Sequence, residues 1–496
     1  MNPLVSGIAR ATLASAAGVG IVLGAAHVQG ALAVGPGPAV AGAPRAATDA
    51  VRGSAVVCPG PELEGVPGVD DLQVRPRLAA AAAPLRTLAG TTPSSTPGSL
   101  SVTRLPGATA AKPVTERAAN ATTDLNTPAG ALVTATQSLA PGLAAAQSWL
   151  VPGGERRALT SAPCTPAVAE SWILAGGGAP GRQERLVLTN PGGNPVTVDV
   201  TLHGADGVVV TSQGKGIVVP ARGRTAFLLD SISGDLTTPV VHVVAEGGVV
   251  TAVVNDLWLD GTRPAGSDDA VAAATPSRDQ VVPAVQVDGA AVLRVAVPGG
   301  SEAVVQARVL TPLGPRALPT GGVTRIDGGQ VRDIDISKLP QDAVALQVRA
   351  DVPVVAGAMV TRGVAPASSD FAWSSSTPPL TGVAGMPLVD PAGAAEPLTR
   401  SLALTSTGAK AGVEVVTVDA RGDQKSLRLN LAQDATLAVN VTGARSVWVT
   451  RTSGTGELRA GVVSTLTDKV GTLVTTTPLR DTALRTTTMG LREVQR

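Results

Sequence analysis

Along VTVDVTLH every second residue is apolar: Val196, Val198, Val200 and Leu202 alternate with Thr197, Asp199, Thr201 and His203. A period of two sends one set to a packed face and the other toward water, the mark of a half-buried β-strand. Shorter Val-rich runs at 217–219, 225–229, 240–245, 344–348 and 446–450 are bounded by Gly, Pro, Asp or Ser, as strands and turns are. Few stretches hold a 3.6-residue period without Gly or Pro, so helix is expected to be minor.

The pattern recurs. LVLTNPGGNPVTVDVTLHGADG from Leu186, LRVAVPGGSEAVVQARVLTPLGP from Leu293 and LALTSTGAKAGVEVVTVDARGD from Leu402 each read as strand, Gly turn, longer strand and second turn, at spacings of 107 and 109 residues. The unit ends recur too, in VVTAVVND from Val249, VVAGAMVT from Val354 and LRAGVVST from Leu458. Seven or eight strands in about 100 residues predict an all-β chain of tandem immunoglobulin-like β-sandwich units. A β-propeller with two four-stranded blades per repeat is the alternative. The units are expected at 161–275, 276–377 and 378–478, with 479–496 as a tail. Residues 54–160 read as a degenerate first unit carrying a low-complexity loop at 76–126. Ser/Thr/Pro segments near Thr275, Thr377 and Thr477 read as linkers between beads on a string.

The first 34 residues carry one positive charge, the small-apolar run 11–26 and the small-x-small pattern Ala31-Leu32-Ala33, which together predict export. Cleavage as a signal peptide and retention as an N-terminal membrane anchor are both open, because the apolar stretch extended to Val34 approaches the ~20 residues that span a bilayer. Residues 35–53, rich in Pro, Gly and Ala, read as a flexible tether. The formal charge of +1 in 496 residues draws the chain to neither nucleic acid nor an anionic membrane, so any membrane contact is expected only through the N-terminal segment. Three His, two Cys and no Tyr exclude a Cys/His metal cluster and leave few groups for catalysis. No metal site, cofactor or catalytic residue is expected.

Cys58 and Cys164 lie 106 residues apart, one repeat period, and predict a structural disulfide in an oxidising compartment, stapling the start of one unit to the start of the next. Gly176 to Gly181 satisfies GxGxxG, yet Pro180 interrupts it and strand-like residues follow, so a hairpin loop is expected rather than a dinucleotide site. Arg421-Gly422-Asp423 reads as a turn, and Asp333 with Asp335 as the wet face of a strand. Asp256, Asp260, Asp268 and Asp269 read as an acidic linker in preference to a Ca²⁺ loop. Trp149, Trp258 and Trp373 near unit ends are the possible ligand contacts, as a sugar-stacking platform if exposed and as end-closing packing if not; Trp172 and Trp448 sit within strands. His203 and His242 lack triad partners and read as strand residues.

The export segment, the period near 105, LxLTNPGxxPVTVxVxLxGADG and VVPARGRTAFLLD together resemble an uncharacterised family of exported actinobacterial proteins, from about Ser54 to Pro478. The resemblance implies location and β architecture and transfers no functional residue. The chain is thus expected to be a non-enzymatic envelope protein, secreted or tethered to the outer face of the plasma membrane, serving as scaffold, spacer or binding surface for an envelope protein or glycan. A carbohydrate-binding accessory using the Trp residues is the alternative. A hydrolase with unidentified carboxylates is a third reading.

Overall fold

A computed structural model of the chain describes residues 47–61, 74–107, 111–117, 119–125, 129–234, 236–363 and 369–488. The expected export segment, and the tether as far as residue 46, lie outside the described residues. The chain divides into a small unit, 1–49 with 487–496, and a large one, 50–486. In the small unit the described residues belong to two paired strands, Ala47–Ala50 and Arg485–Thr488, so the end of the expected tether and part of the expected tail are strand.

The large unit uses one two-layered motif four times, and the second copy shows it most fully. One antiparallel layer contains Val196–Gly204, Val240–Glu246 and Glu170–Leu174, with Gly207–Val209 and Ile217–Val219 added along one side. The other runs Gly223–Leu228, Arg182–Asn190, Thr251–Asp260, Arg263–Val271. Val198, Val200 and Leu202 of the first layer share a core with Leu186, Leu188 and Val254 of the second. Thr197 is exposed and Asp199 and Thr201 are half-buried, so the alternation sets the face as period two requires. His203 departs from it. It lies on the outer face yet is buried, with Nδ1 at 3.1 Å from the Gly329 carbonyl of the next copy.

The first copy sets Gly53–Cys58, Gly130–Thr136 and Leu100–Leu105 over Ala121–Asp124, Arg77–Ala82, Leu143–Val151 and Ala158–Pro163. The fourth sets Val383–Pro387, Ser446–Gly454, Ala411–Val418 and Gln424–Leu431 over Ala435–Asn440, Thr399–Thr407, Glu457–Thr467 and Thr472–Pro478. In the third the long strand Val344–Arg362 passes from one layer to the other, joining both into one eight-stranded sheet. Each copy is a sandwich around a shared core, not a pair of propeller blades. The stretch 76–126, expected as a loop, supplies three of these strands. Its alanines are poor strand formers alone but small enough to be covered on both faces: Ala80 and Ala82 pack with Cys58, and Ala81 with Val383 and Trp448 of the fourth copy.

The copies are not beads on a string. The closing strand of each, Ala158–Pro163, Arg263–Val271, Asp370–Ser375 and Thr472–Pro478, lies against those of two other copies, and the four close a ring. Two of the three segments expected as Ser/Thr linkers are buried in or beside this ring, Ser374 to Thr377 and Thr475 to Thr477, while Thr275 in the other is exposed. Small hydroxyl side chains suit that position because they admit close strands and bond a neighbour's carbonyl: Ser375 Oγ donates to Val271 O at 2.6 Å and Ser374 Oγ to Pro283 O at 2.7 Å.

Cys58 and Cys164 form a disulfide across 106 residues of chain. Cys164 directly follows the closing strand of the first copy, so the bond ties that copy's opening strand to its own closing end. Val57 and Thr165 exchange backbone hydrogen bonds of 2.8 and 3.0 Å alongside it. Chain-entropy arguments give at most about 4–5 kcal/mol for so long a loop. Peptide mapping without reduction is expected to recover the two cysteines as one cross-linked species, and free alkylation of both in native protein would contradict the bond. The disulfide is compatible with an extracytoplasmic chain. Among the described residues, no helix is long and apolar enough to cross a membrane.

Candidate functional site

Two fully buried carboxyl groups lie on the ring strands. Asp370 opens the closing strand of the third copy, and its Oδ2 accepts the backbone N–H of Val474 at 3.0 Å and of Leu159 at 3.4 Å, from the fourth and first copies. Asp268, on the closing strand of the second, accepts Trp373 N–H at 2.7 Å through Oδ2 and the Thr475 hydroxyl at 3.2 Å through Oδ1. Strands that meet without forming a continuous ladder leave N–H groups that must be paired some other way, and these carboxyl groups pair them. Gly266 makes the approach possible. It has φ +118°, and a Cβ there would lie 2.4 Å from Asp370 Oδ1.

Both carboxyl groups are fully buried, and burial raises each well above the ordinary carboxylate range against the pull of their backbone donors. A group that meets neither solvent nor an open cleft cannot exchange protons with a substrate, so their geometry suits cohesion between copies.

A second buried cluster joins the second and third copies. Asp256 accepts Arg182 Nε and Nη2 at 2.8 and 2.6 Å, Gly176 N–H at 2.9 Å and Trp373 Nε1 at 2.7 Å. The Arg182 guanidinium lies 5.1 Å from the Phe371 ring centre. Glu184 accepts Gly177 N–H at 2.7 Å, and burial, with Asp256 nearby, pushes its carboxyl up to about 7. Opposite them Arg294 holds Asp333 at 2.8 and 2.9 Å and donates to the carbonyls of Ala175, Gly176 and Pro239, with its guanidinium 5.0 Å from the Trp373 ring centre.

These contacts revise several sequence-based expectations. Asp256, Asp260, Asp268 and Asp269 lie on one hairpin rather than in a linker; Asp260 pairs with Arg263 at the exposed tip and the other three are buried. Trp149 and Trp373 are buried and Trp258 is half-buried, so they offer no exposed stacking platform. Trp149 packs on Val74 and Val151, while Trp373 is tied up by Asp256 and Arg294. With two Phe and no Tyr, the large aromatics are consumed by packing. Trp172 stacks on His242, with ring centres 3.9 Å apart, and Glu170 accepts the Trp172 Nε1–H at 3.0 Å.

Gly176 to Gly181 is the loop between Glu170–Leu174 and Arg182–Asn190, and no helix follows it. Arg421-Gly422-Asp423 is a turn whose Arg421 and Asp423 N–H groups bond Asp419 Oδ1 at 2.8 and 3.0 Å. Asp333 is spent on Arg294, while Asp335 caps Ser337 N–H at 2.9 Å. Among the described residues, no group of three or more His, Cys, Asp or Glu is placed to hold a metal ion. Asp370, Glu184, Arg182 and Arg294 carried no sequence signal beyond being charged residues beside strand-like runs.

A model of a family of unknown function, DUF5719, matches residues 114–442, from the first copy into the fourth. No curated protein matches the chain. Among solved structures, Thermotoga maritima 1070 is similar at 14% identity, covering 20% of this chain and 93% of that one with a TM-score of 0.18. A tetra-tandem repeat from the extending region of a large adhesion protein is similar at 13% identity, covering 80% and 97% with a TM-score of 0.09. Neither superposition bears on how this chain folds or acts.

Proposed function

The chain belongs to this family of unknown function, DUF5719, and from its geometry we propose that it is a non-enzymatic, exported scaffold of the cell envelope, presenting the outer faces of its four-sandwich body to an envelope protein. The observation that carries this reading is the ring. Its buried carboxyl groups accept backbone N–H groups from other copies, so these buried polar contacts join the copies instead of converging on a cleft. The small-apolar N-terminal run and the disulfide support export, with the body secreted or held at the outer face of the plasma membrane. Burial of Trp149 and Trp373 weighs against a glycan-stacking accessory.

Residues 1–60 fused to a reporter active only outside the cytoplasm are expected to give signal, and a silent but stable fusion would sink export. In the second arm, purified wall polysaccharide is expected not to retain the full chain. Saturable retention would replace the scaffold with a glycan binder.

A further inference from the structure

At one end of the ring, residues at or just past the ends of the closing strands line a common cavity: Pro163 and Thr165 from the first copy, Ala272 from the second, Pro378 from the third and Arg480 from the fourth. The cavity holds about 270 Å³, and Val168, Val253 and Val271 make its walls largely apolar. A second cavity of about 220 Å³ shares Pro163, Thr165, Pro166, Arg480 and Asp481 with the first and extends past Leu143, Ala145 and Met386. Among the described residues, Arg480 is the one basic residue lining either cavity.

Its guanidinium is only partly used. Nη2 donates to the Ala272 carbonyl, whereas Nε is buried without a partner among the described residues. The neighbouring Asp481 is already engaged, accepting Thr381 N–H and Oγ1–H at 2.7 Å each and Gly382 N–H at 3.1 Å. Burial alone lowers the affinity of Arg480 for its proton, with no compensating carboxylate. Arginine nonetheless stays charged, and a half-buried guanidinium with an idle donor is incompletely paired until an anion meets it.

We propose that Arg480 and the two cavities it borders bind a single-chain amphiphilic carboxylate, with the carboxylate on the guanidinium and the alkyl chain along the apolar walls. Charge selects the headgroup. One guanidinium neutralises one negative charge and meets a carboxylate with paired N–H donors, whereas a dianionic phosphate would bring excess negative charge against the neighbouring, exposed Asp481. The apolar walls select the tail. The site stands on the cavity geometry and does not depend on the scaffold reading.

The test is isothermal titration of the full chain, in buffer without detergent, with decanoate, decanol and decyl phosphate. Decanoate is expected to bind saturably, about tenfold or more tighter than decanol, since loss of the charged hydrogen bonds is worth at least that factor. Arg480→Met is expected to lose that preference and Arg480→Lys to keep part of it. Ala272→Phe, which fills the first cavity without removing the charge, is expected to weaken decanoate. Absence of saturable binding, equal affinity for decanoate and decanol, or tighter binding of decyl phosphate would overturn the assignment. Circular dichroism melts accompany each variant; if Arg480→Met does not fold, the headgroup comparison on the unaltered chain still decides.

Discussion

Excision of residues 276–377, the whole third copy, is expected to leave a chain that does not fold. In an open array each repeat touches only its neighbours, so removing one costs its own stability and a shared interface. The ring changes that accounting. The deletion takes away Asp370, the acceptor for Leu159 N–H in the first copy and Val474 N–H in the fourth. It also takes Trp373, whose N–H and Nε1–H are bonded to Asp268 and Asp256 of the second copy, and Arg294, which bonds the carbonyls of Ala175, Gly176 and Pro239. Each buried polar group left without a partner costs about 1–3 kcal/mol. Several such losses, added to the exposed core, rival the ~5–15 kcal/mol that hold a typical domain together. Soluble yield and differential scanning calorimetry check this. The intact chain is expected to melt in one cooperative transition and the deletion to show none; a deletion that melts near the parent temperature would mean that the copies fold independently.

How much of this was legible depends on what each strand packs against. Val196 to Leu202 could be read because one side of that strand meets an apolar core and the other largely meets water, which writes period two into the residues. The pairing of Cys58 with Cys164 could be read from number, spacing and the export signal. The closing strands could not. Their neighbours are other closing strands, so their side chains are chosen to be small or to bond backbone groups, and RPAGSDDAV and DFAWSS look like loop and linker composition by the rules for half-exposed strands. The Ala-rich strand Arg77–Ala82 was obscured for a related reason: packing on both faces removes the polar half of the alternation. Asp370, the carboxylate that reaches two other copies, stands at the mouth of a segment read as a linker. No local pattern marks a residue whose partners are 211 and 104 positions away.

Asp370→Leu and Asp370→Asn are expected to separate the two properties of that side chain, its acceptor and its charge. Leucine removes the acceptor from the buried Leu159 and Val474 N–H groups, at about 1–3 kcal/mol for each orphaned donor, and brings a branched side chain against Gly266. Asparagine keeps one carbonyl oxygen for those donors and carries no charge, so at neutral pH it is expected to be far milder than leucine and close to the unaltered chain. The pH dependence follows from the direction of the shifts. Burial raises the folded-state affinity of Asp268 and Asp370 for protons above that of the unfolded chain, and raises Glu184 to about 7. Between the ordinary carboxylate range and these raised values the three carboxyl groups bind more protons in the folded state, so their contribution to stability falls as pH rises, while burial of His203 and His242 lowers their proton affinity and works the other way below the ordinary imidazole range. Below the ordinary carboxylate range the sign reverses, because Asp124, held down by its bond to Arg77, loses that contribution on protonation. Urea melts from about pH 6.5 to about pH 8, above the range where the histidines oppose the trend, are therefore expected to show the midpoint of the unaltered chain falling with pH, and that of Asp370→Asn falling less. Equal slopes would mean that Asp370 takes up no extra proton on folding; a slope that rises with pH in both would mean that the buried carboxyl groups are ionised and paired in the ring.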